Sequence, residues 1–284
     1  LNFLDKAPDF PAAAMAYRFI EGSLNSREAI RDLAAISDVI TYEIEHVNTQ
    51  ALRELELEGH VVIPPSEILD IIKDKGKQKS FYKDNGIPTS PFYLATCDEE
   101  WRKAPERLPG FNRFVAKSCT GGYDGRGVFV FDKSDYDAPF PLTYPAIIEG
   151  FIDHQKELAV IVARDTKGNT KVFPVVEMVF KPQANLVDYL ACPASITDES
   201  ARKATDIALD AANKLRGAGL FAVEMFLDAS GSVFVNEIAP RPHNSGHHTI
   251  EACQTSQYQQ LLRILLGLPL GNTQLMKPAV MYNI

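Results

Sequence analysis

Between Leu220 and Ile238 the chain reads LFAVEMFLDASGSVFVNEI, two apolar runs on either side of an Asp-Ala-Ser-Gly turn. Such a pair predicts a β-hairpin. Each run carries one carboxylate where an apolar residue would be expected, Glu224 and Glu237. A turn closing on Ala229-Ser230 or Ser230-Gly231, with no slip in register, puts both on one face. They are then directly or diagonally opposite, with Cα atoms roughly 4.5–8 Å apart. Like charges held there repel unless a cation sits between them. Asn236 offers a neutral oxygen beside them, and hard oxygen ligands suit a Mg²⁺ ion that is also held by nucleotide phosphates. The competing reading is an edge hairpin with solvated glutamates, followed by a polar loop. That loop carries Arg241, His243, Asn244, Ser245, His247 and His248, so three of the chain's six histidines fall within six positions.

At 284 residues the chain is long enough for two domains. Its net charge of −8 argues against nucleic acid or an anionic membrane as partner. A phosphorylated substrate is not excluded, because local basic clusters bind phosphate inside acidic proteins. Four cysteines, Cys97, Cys119, Cys192 and Cys253, are widely spaced and form no CxxC pair. They read as reduced thiols in a reducing compartment. With no apolar run of membrane-spanning length and no secretory signal, a cytoplasmic location is expected.

Residues 1–64 alternate strand and helix, which implies a parallel α/β sheet. Strands are expected at Leu1–Asp5, Arg18–Ile20, Val39–Glu43 and Val61–Ile63. Helices are expected from Pro11, from Asn25 or Ser26 to about Ser37, and over Thr49–Glu58. A doubly wound domain normally opens with a strand and a glycine-rich turn, and that opening unit is absent here. With an abrupt strand at each end and no initiator Met, the chain is read as the ordered portion of a longer protein. Glu43-Ile44-Glu45 follows a strand end, where open α/β sheets place ligands, though solvated carboxylates explain it as well.

Pro64-Pro65 marks a boundary, followed by helices over Ser66–Ile72 and Gly76–Asn85. Lys75, Lys77 and Lys79 lie at the start of the second helix, where cations oppose the helix dipole. Either an anion compensates them or they form a solvated basic face. Phe114–Lys117 and Val128–Phe131 read as strands joined by Gly121-Gly122-Tyr123-Asp124-Gly125-Arg126-Gly127. A glycine loop between two strands excludes the Walker and Rossmann patterns, which need a helix after the glycines. Four glycines in seven residues allow backbone N–H groups to approach an anion, and Lys117 offers a point charge to phosphate. A plain hairpin turn would account for the glycines alone. Further strands at Ala146–Ile148, Glu157–Val162 and Lys171–Phe180, with an alanine-rich helix over Ser200–Arg216 and another from Ile250 to Gly267, indicate an α+β domain with helices on one side of an antiparallel sheet.

A glycine loop with its lysine, followed by paired glutamates on a late hairpin, resembles the ATP-grasp superfamily. Thr120–Gly127 and the run NEIAPRPHNSGH over Asn236–His247 are similar to signatures of the N5-carboxyaminoimidazole ribonucleotide synthetases within it. Tyr42–Glu45, the DKGKQK segment at Asp74–Lys79, Thr255–Tyr258 and Leu266–Leu270 add to the resemblance, which spans nearly the whole chain. It implies a Rossmann-like pre-ATP-grasp domain over 1–64, incomplete at its start. An ATP-grasp domain follows over 65–270, with a lid subdomain at about 90–150, and 271–284 begins a truncated C-terminal segment.

The resemblance also implies roles. Lys75 and Lys117 contact ATP phosphates beneath a lid formed by Gly122, Tyr123, Asp124, Gly125, Arg126, Gly127 and Val128. Glu149, Gly150, Phe151 and Ile152 form the hinge that reads adenine, and Glu157 holds the ribose. Glu224, Glu237 and Asn236 bind Mg²⁺. Tyr123, Asp124, Arg241 and His243 face bicarbonate and the aminoimidazole ribonucleotide. Many relatives place a histidine near the nucleotide where this chain reads Val179-Phe180-Lys181, so no role is assigned there. The implied reaction joins bicarbonate to 5-aminoimidazole ribonucleotide with conversion of ATP to ADP and phosphate, a step of purine biosynthesis, in a homodimer. The alternatives are another ATP-grasp ligase, formate-using or biotin-linked, and a nucleotide-binding module without catalysis.

Overall fold

The computed structural model describes residues 1–121, 127–134, 140–181 and 187–283. Strand β1 (Asn2–Asp5) pairs in parallel with β2 (Arg18–Glu21), and β3 (Val39–Ile40) in parallel with β4 (Val61–Val62). Helix α1 (Arg27–Ala34) starts at Ser26, whose side chain accepts from the Ala29 N–H; α2 (Thr49–Leu57) starts at Asn48 in the same way. Both are N-cap bonds of the kind these residue types favour. The buried faces of the two helices, with Ile40, Tyr42 and Val62, form one core. The parallel pairing matches the α/β expectation, but the two ladders stay separate two-stranded sheets among the described residues.

Helix α3 (Ser66–Ile72) leads to α4 (Lys75–Asp84), capped by Asp74, whose Oδ1 accepts from the N–H groups of Gly76 at 2.8 Å and Lys77 at 3.1 Å. Next comes a four-stranded antiparallel sheet in the order β5 (Phe92–Ala95), β8 (Ala146–Gly150), β6 (Arg113–Ser118), β7 (Val128–Asp132). Short helices α5 (Asp98–Trp101) and α6 (Ala104–Arg107) cover it, and Trp101, Phe114, Phe131 and Ile148 fill its core. The glycine loop does join two paired strands, with Lys117 opposite Val128.

The largest sheet is antiparallel and seven-stranded, in the order β14 (Val233–Ala239), β13 (Gly219–Asp228), β9 (His154–Arg164), β11 (Val176–Phe180), β12 (Val187–Cys192), β15 (Ala279–Tyr282), with β10 (Thr170–Val172) alongside β9. On one face lies α7 (Asp198–Leu215), whose Ala204, Ala208, Ala211 and Ala212 are fully buried against Val160, Val162, Phe221 and Val223. Small side chains let that helix lie close to the strands. On the other face α9 (Gln257–Leu265) packs Ile264 against Ile161, Ala163, Leu220 and Ala222, and the short α8 (Thr249–Ala252) precedes it. Helices on one side only, as expected from the sequence, is therefore corrected. The physical reason is visible in β9 and β13: both are apolar at consecutive positions, so both faces need cover. Among the described residues no helix is long and apolar enough to cross a membrane.

Candidate active site

Glu224 of β13 lies directly opposite Glu237 of β14. The route to that register differs from a slip-free hairpin. Near the turn Leu227 pairs with Val233 and Met225 with Val235, and then the register shifts so that Glu224 meets Glu237 and Asn236 is the extra residue. The bulge also sorts faces: Val235 and Ile238 enter the α7 core, while Ala239 packs on the α9 side, the side of Leu220 and Ala222. Alternation along β13 and β14 carries Glu224 and Glu237 to that same side.

Lys75, at the first turn of α4, places Nζ 2.8 Å from Glu237 Oε2. Its charge pulls the Glu237 carboxyl down to about 2. That side chain keeps 43% of its surface exposed, so the contact is open to exchange with solvent or ligand. Glu224 is more enclosed. Burial, with Glu237 and then Glu157 nearby, raises its carboxyl to about 8. Lys75 thus favours the charged form of Glu237, while burial beside Glu237 disfavours that of Glu224. His243 Nε2 lies 3.5 Å from Glu224 Oε1, and its Nδ1 is 2.9 Å from Ser245 Oγ. Burial and the Arg241 charge lower His243 to about 4, so it is neutral near pH 7. Arg241 Nε reaches Glu45 Oε1 at 3.0 Å. Of the carboxylates in Glu43-Ile44-Glu45, Glu45 is thus tied into the site by Arg241, while Glu43 is exposed, as the solvated reading has it. Burial raises the Glu45 carboxyl, against the opposing pull of Arg241.

Lys117 on β6 sits 3.1 Å from Glu149 Oε1 and 2.8 Å from Asn236 Oδ1. Glu149 on β8 also takes Lys79 of α4 at 2.9 Å, and both side chains of that second pair are 4% exposed. Burial opposes the Glu149 charge, but Lys117 and Lys79 together hold its carboxyl below the ordinary value. The Glu149 side chain is thus turned to lysines. Beyond it, the Gly150 N–H donates to the Pro91 carbonyl and the Phe151 N–H to the Arg113 carbonyl, each at 3.0 Å. The Arg113 guanidinium lies 4.1 Å from the Phe151 ring centre. Glu157 on β9 has Oε1 3.2 Å from His154 Nε2, and the His154 Nδ1 lies 3.1 Å from the Ile152 carbonyl.

The fold brings together Lys75, Lys117, Glu149, Glu224, Asn236, Glu237, Arg241 and His243 through the contacts above. Gly127 and Val128 stand at the start of β7, with Gly127 at φ 75°, a conformation that favours glycine. Gly122, Tyr123, Asp124, Gly125 and Arg126 lie outside the described residues. Of the two readings of the lysines that open α4, compensation by anions holds for Lys75 and Lys79, through Glu237 and Glu149. The identity of the Lys79 partner, 70 positions away, was not legible, and sequence reasoning missed two contributors altogether. Gln78 accepts from the Ile238 N–H at 3.1 Å and donates to the Ile72 carbonyl at 3.2 Å. Gln257 anchors the histidine loop, accepting from the His243 N–H and donating to its carbonyl, both at 2.9 Å. A Cβ on Gly246 would come within 2.1 Å of the Ile161 side chain, so only glycine lets this loop lie on β9. Among the described residues no three His, Cys, Asp or Glu side chains close around a metal position. A cation at the glutamate pair would need oxygen ligands from a bound nucleotide as well, which is the way Mg²⁺ is commonly held.

Residues 80–258 match the ATP-grasp domain family, and residues 1–73 match the ribonucleotide synthetase preATP-grasp domain family. The N5-carboxyaminoimidazole ribonucleotide synthase of Bacillus subtilis is 38% identical over 99% of this chain and 73% of its own length. The phosphoribosylaminoimidazole carboxylase of Ogataea methanolica is 41% identical, over 88% of this chain and 46% of the longer protein. A crystal structure of the ADP complex of an N5-carboxyaminoimidazole ribonucleotide synthetase superposes with a TM-score of 0.90 at 37% identity, covering all of this chain (100%) and 74% of that one. The Aspergillus clavatus enzyme, solved with ADP and 5-aminoimidazole ribonucleotide, gives 0.89 at 34% identity, over 100% and 75% of the two chains. By these matches the chain belongs to the N5-carboxyaminoimidazole ribonucleotide synthetases of the ATP-grasp superfamily.

Proposed function

We infer that this chain uses ATP to carboxylate 5-aminoimidazole ribonucleotide on its exocyclic amine, forming a C–N bond and releasing ADP and phosphate. The observation that carries the reading is the convergence of Lys75 and Lys117 on the opposed pair Glu224 and Glu237, in a chain of this family. Bicarbonate is the proposed carbon source. Its oxygen attacks the γ-phosphorus as the bond to ADP breaks; the amine then bonds to carbon as phosphate leaves.

The glutamate pair and Asn236 Oδ1 form an oxygen donor set that fits Mg²⁺, and Glu237 is already ionised. Bound there, Mg²⁺ would neutralise negative charge on the phosphates. Lys75 and Lys117 each rest on protein anions and can pass their ammonium groups to phosphate oxygens, where charge develops during transfer. The short-lived carboxyphosphate has to be kept from water, a role that the resemblance assigns to the glycine loop. Arg241, oriented by Glu45, holds a carboxylate in place. Neutral His243 serves as a hydrogen-bonding partner and not as a charge. By resemblance, Tyr123 faces the substrates and Asp124 accepts the amine proton. Adenine is read at the hinge over Glu149–Ile152 by backbone groups, since the Glu149 side chain serves the lysines, and Glu157 holds the ribose.

Residues 1–64 are assigned to the pre-ATP-grasp domain and 65–270 to the ATP-grasp domain, with 271–284 opening the segment that follows. A cytoplasmic location accords with four free cysteines, three of them buried, and a homodimer is proposed from the resemblance alone. The deciding experiment is ADP release by the intact gene product. Release that needs both bicarbonate and 5-aminoimidazole ribonucleotide supports the reading, while ATP binding with no turnover in their presence overturns it.

A further inference from the structure

Lys79 is a buried lysine that the reaction as described leaves without a role. It is 3% exposed. Its Nζ lies 2.9 Å from Glu149 Oε2 and donates to Thr89 Oγ1 at 2.6 Å; that hydroxyl in turn donates to the Val235 carbonyl at 2.7 Å. Three units therefore meet at one ammonium: helix α4, the four-stranded sheet through Glu149, and the seven-stranded sheet through Thr89 and the strand that bears Glu237. Lys117 shares the same carboxylate, on its other oxygen, at 3.1 Å.

The two lysines differ in what they can do next. Lys117 also touches Asn236, at the glutamate pair, and is 12% exposed against 4% for Lys79. If Glu149 had Lys117 alone, moving that ammonium to a phosphate would strand a buried carboxylate with no counter-charge, which is strongly unfavourable. We propose that Lys79 is a positioning residue, a permanent counter-ion that keeps Glu149 balanced so that Lys117 is free to transfer to the nucleotide phosphates. Glu149 is then a resting place for the mobile lysine, and Lys79 sets how easily it leaves.

The proposal rests on the reading of Lys117 as a phosphate contact, which is tested separately: Lys117→Met must weaken ADP binding. If Lys117→Met binds ADP like the parent protein, that reading falls. The Lys79 proposal is tested by calorimetric titration of ADP with Mg²⁺ into Lys79→Met, Glu149→Gln and the double variant of the intact protein. Lys79→Met should bind ADP roughly tenfold or more weakly, because Lys117 must stay behind. Glu149→Gln removes the charge that needs balancing, so in that background Lys79→Met should change affinity by less than about threefold. Simple packing damage would instead add equally in both backgrounds. Equal losses in both, normal binding by Lys79→Met, or abolished binding in Glu149→Gln alone would each overturn the proposal. The last would mean that Glu149 acts on the nucleotide itself. If Lys79→Met alone does not fold, the comparison of Glu149→Gln with the double variant decides, and a difference above about threefold overturns it.

Discussion

Glu224 and Glu237 are direct neighbours across one antiparallel ladder, yet their surroundings push the two carboxyls in opposite directions, Glu237 down and Glu224 up. Lys75 makes the difference, because its ammonium contacts Glu237, while burial and two acidic neighbours dominate at Glu224. A divalent cation between them would favour the charged form of both and take the place of the lysine. Glu237→Gln removes one carboxylate of the pair, and turnover should fall by about a hundredfold or more. Steady-state ADP release at ordinary Mg²⁺ concentration checks this. Activity close to that of the parent protein would rule out Glu237 as a metal ligand.

Asn236 has two functions that mutagenesis can separate. It is the extra residue that the bulge absorbs, and its Oδ1 accepts from Lys117. Asn236→Ala keeps the bulge, so urea unfolding should move by less than about 1 kcal/mol while ADP binding weakens. Deleting Asn236 leaves the order Val235-Glu237-Ile238, a regular ladder in which Glu237 stays opposite Glu224 and on the face away from Val235 and Ile238. The deletion should therefore keep the glutamate pair and weaken ADP binding about as Asn236→Ala does, with stability within about 1 kcal/mol of that variant. A deletion variant far less stable than Asn236→Ala would show that the bulge itself, and not only the Asn236 side chain, holds the strands in place.

The hairpin and the strand–glycine–strand loop were legible because they are local. Glu224 and Glu237 stand out from apolar neighbours within a few positions, and Lys117 adjoins its loop. The bulge was not legible, because VFVNEI alternates well enough without one, and the slip is fixed by packing on both faces. Glu45 with Arg241 and Gln78 with Ile238 span 196 and 160 positions, so nothing near either partner announces the other. Helices on both sheet faces could have been read from the unbroken apolar runs of β9 and β13.

His154 supplies a pH handle on the expected ribose contact. Its hydrogen bond to Glu157 raises its pKa above the ordinary 6.5, helped by Glu157 and Asp153 charges, while burial opposes. For a raised histidine, the stabilisation is fully present below the unfolded value of 6.5 and is lost as pH rises through the folded value. NMR titration should therefore place His154 above 6.5, and Glu157→Gln should bring it down. If Glu157 also holds the ribose, the same change should weaken ATP more than 2′- or 3′-deoxy-ATP. A His154 titration unaffected by Glu157→Gln would remove the pair from the argument.

Gln78 links α4 to the strand bearing Glu237 through bonds that no water can replace. It is 4% exposed, its Oε1 accepts from the Ile238 N–H and the Tyr82 hydroxyl, and its Nε2 donates to the Ile72 carbonyl. Gln78→Leu keeps most of the volume and strands those groups, each of which costs about 1–3 kcal/mol when buried unpaired. Some relax toward neighbours, so the expected loss is about 2–4 kcal/mol by urea unfolding. Gln78→Glu is the sharper test. It keeps the acceptor for Ile238 but loses the donor to Ile72 and adds a buried carboxylate close to Lys75 and Lys79. That anion should compete with Glu237 for Lys75 and weaken ADP binding, whereas Gln78→Leu should cost stability first and leave the ADP affinity of the folded fraction within about threefold. Should Gln78→Leu lose nucleotide affinity with stability intact, Gln78 would belong to the ligand site and not to the frame that holds it.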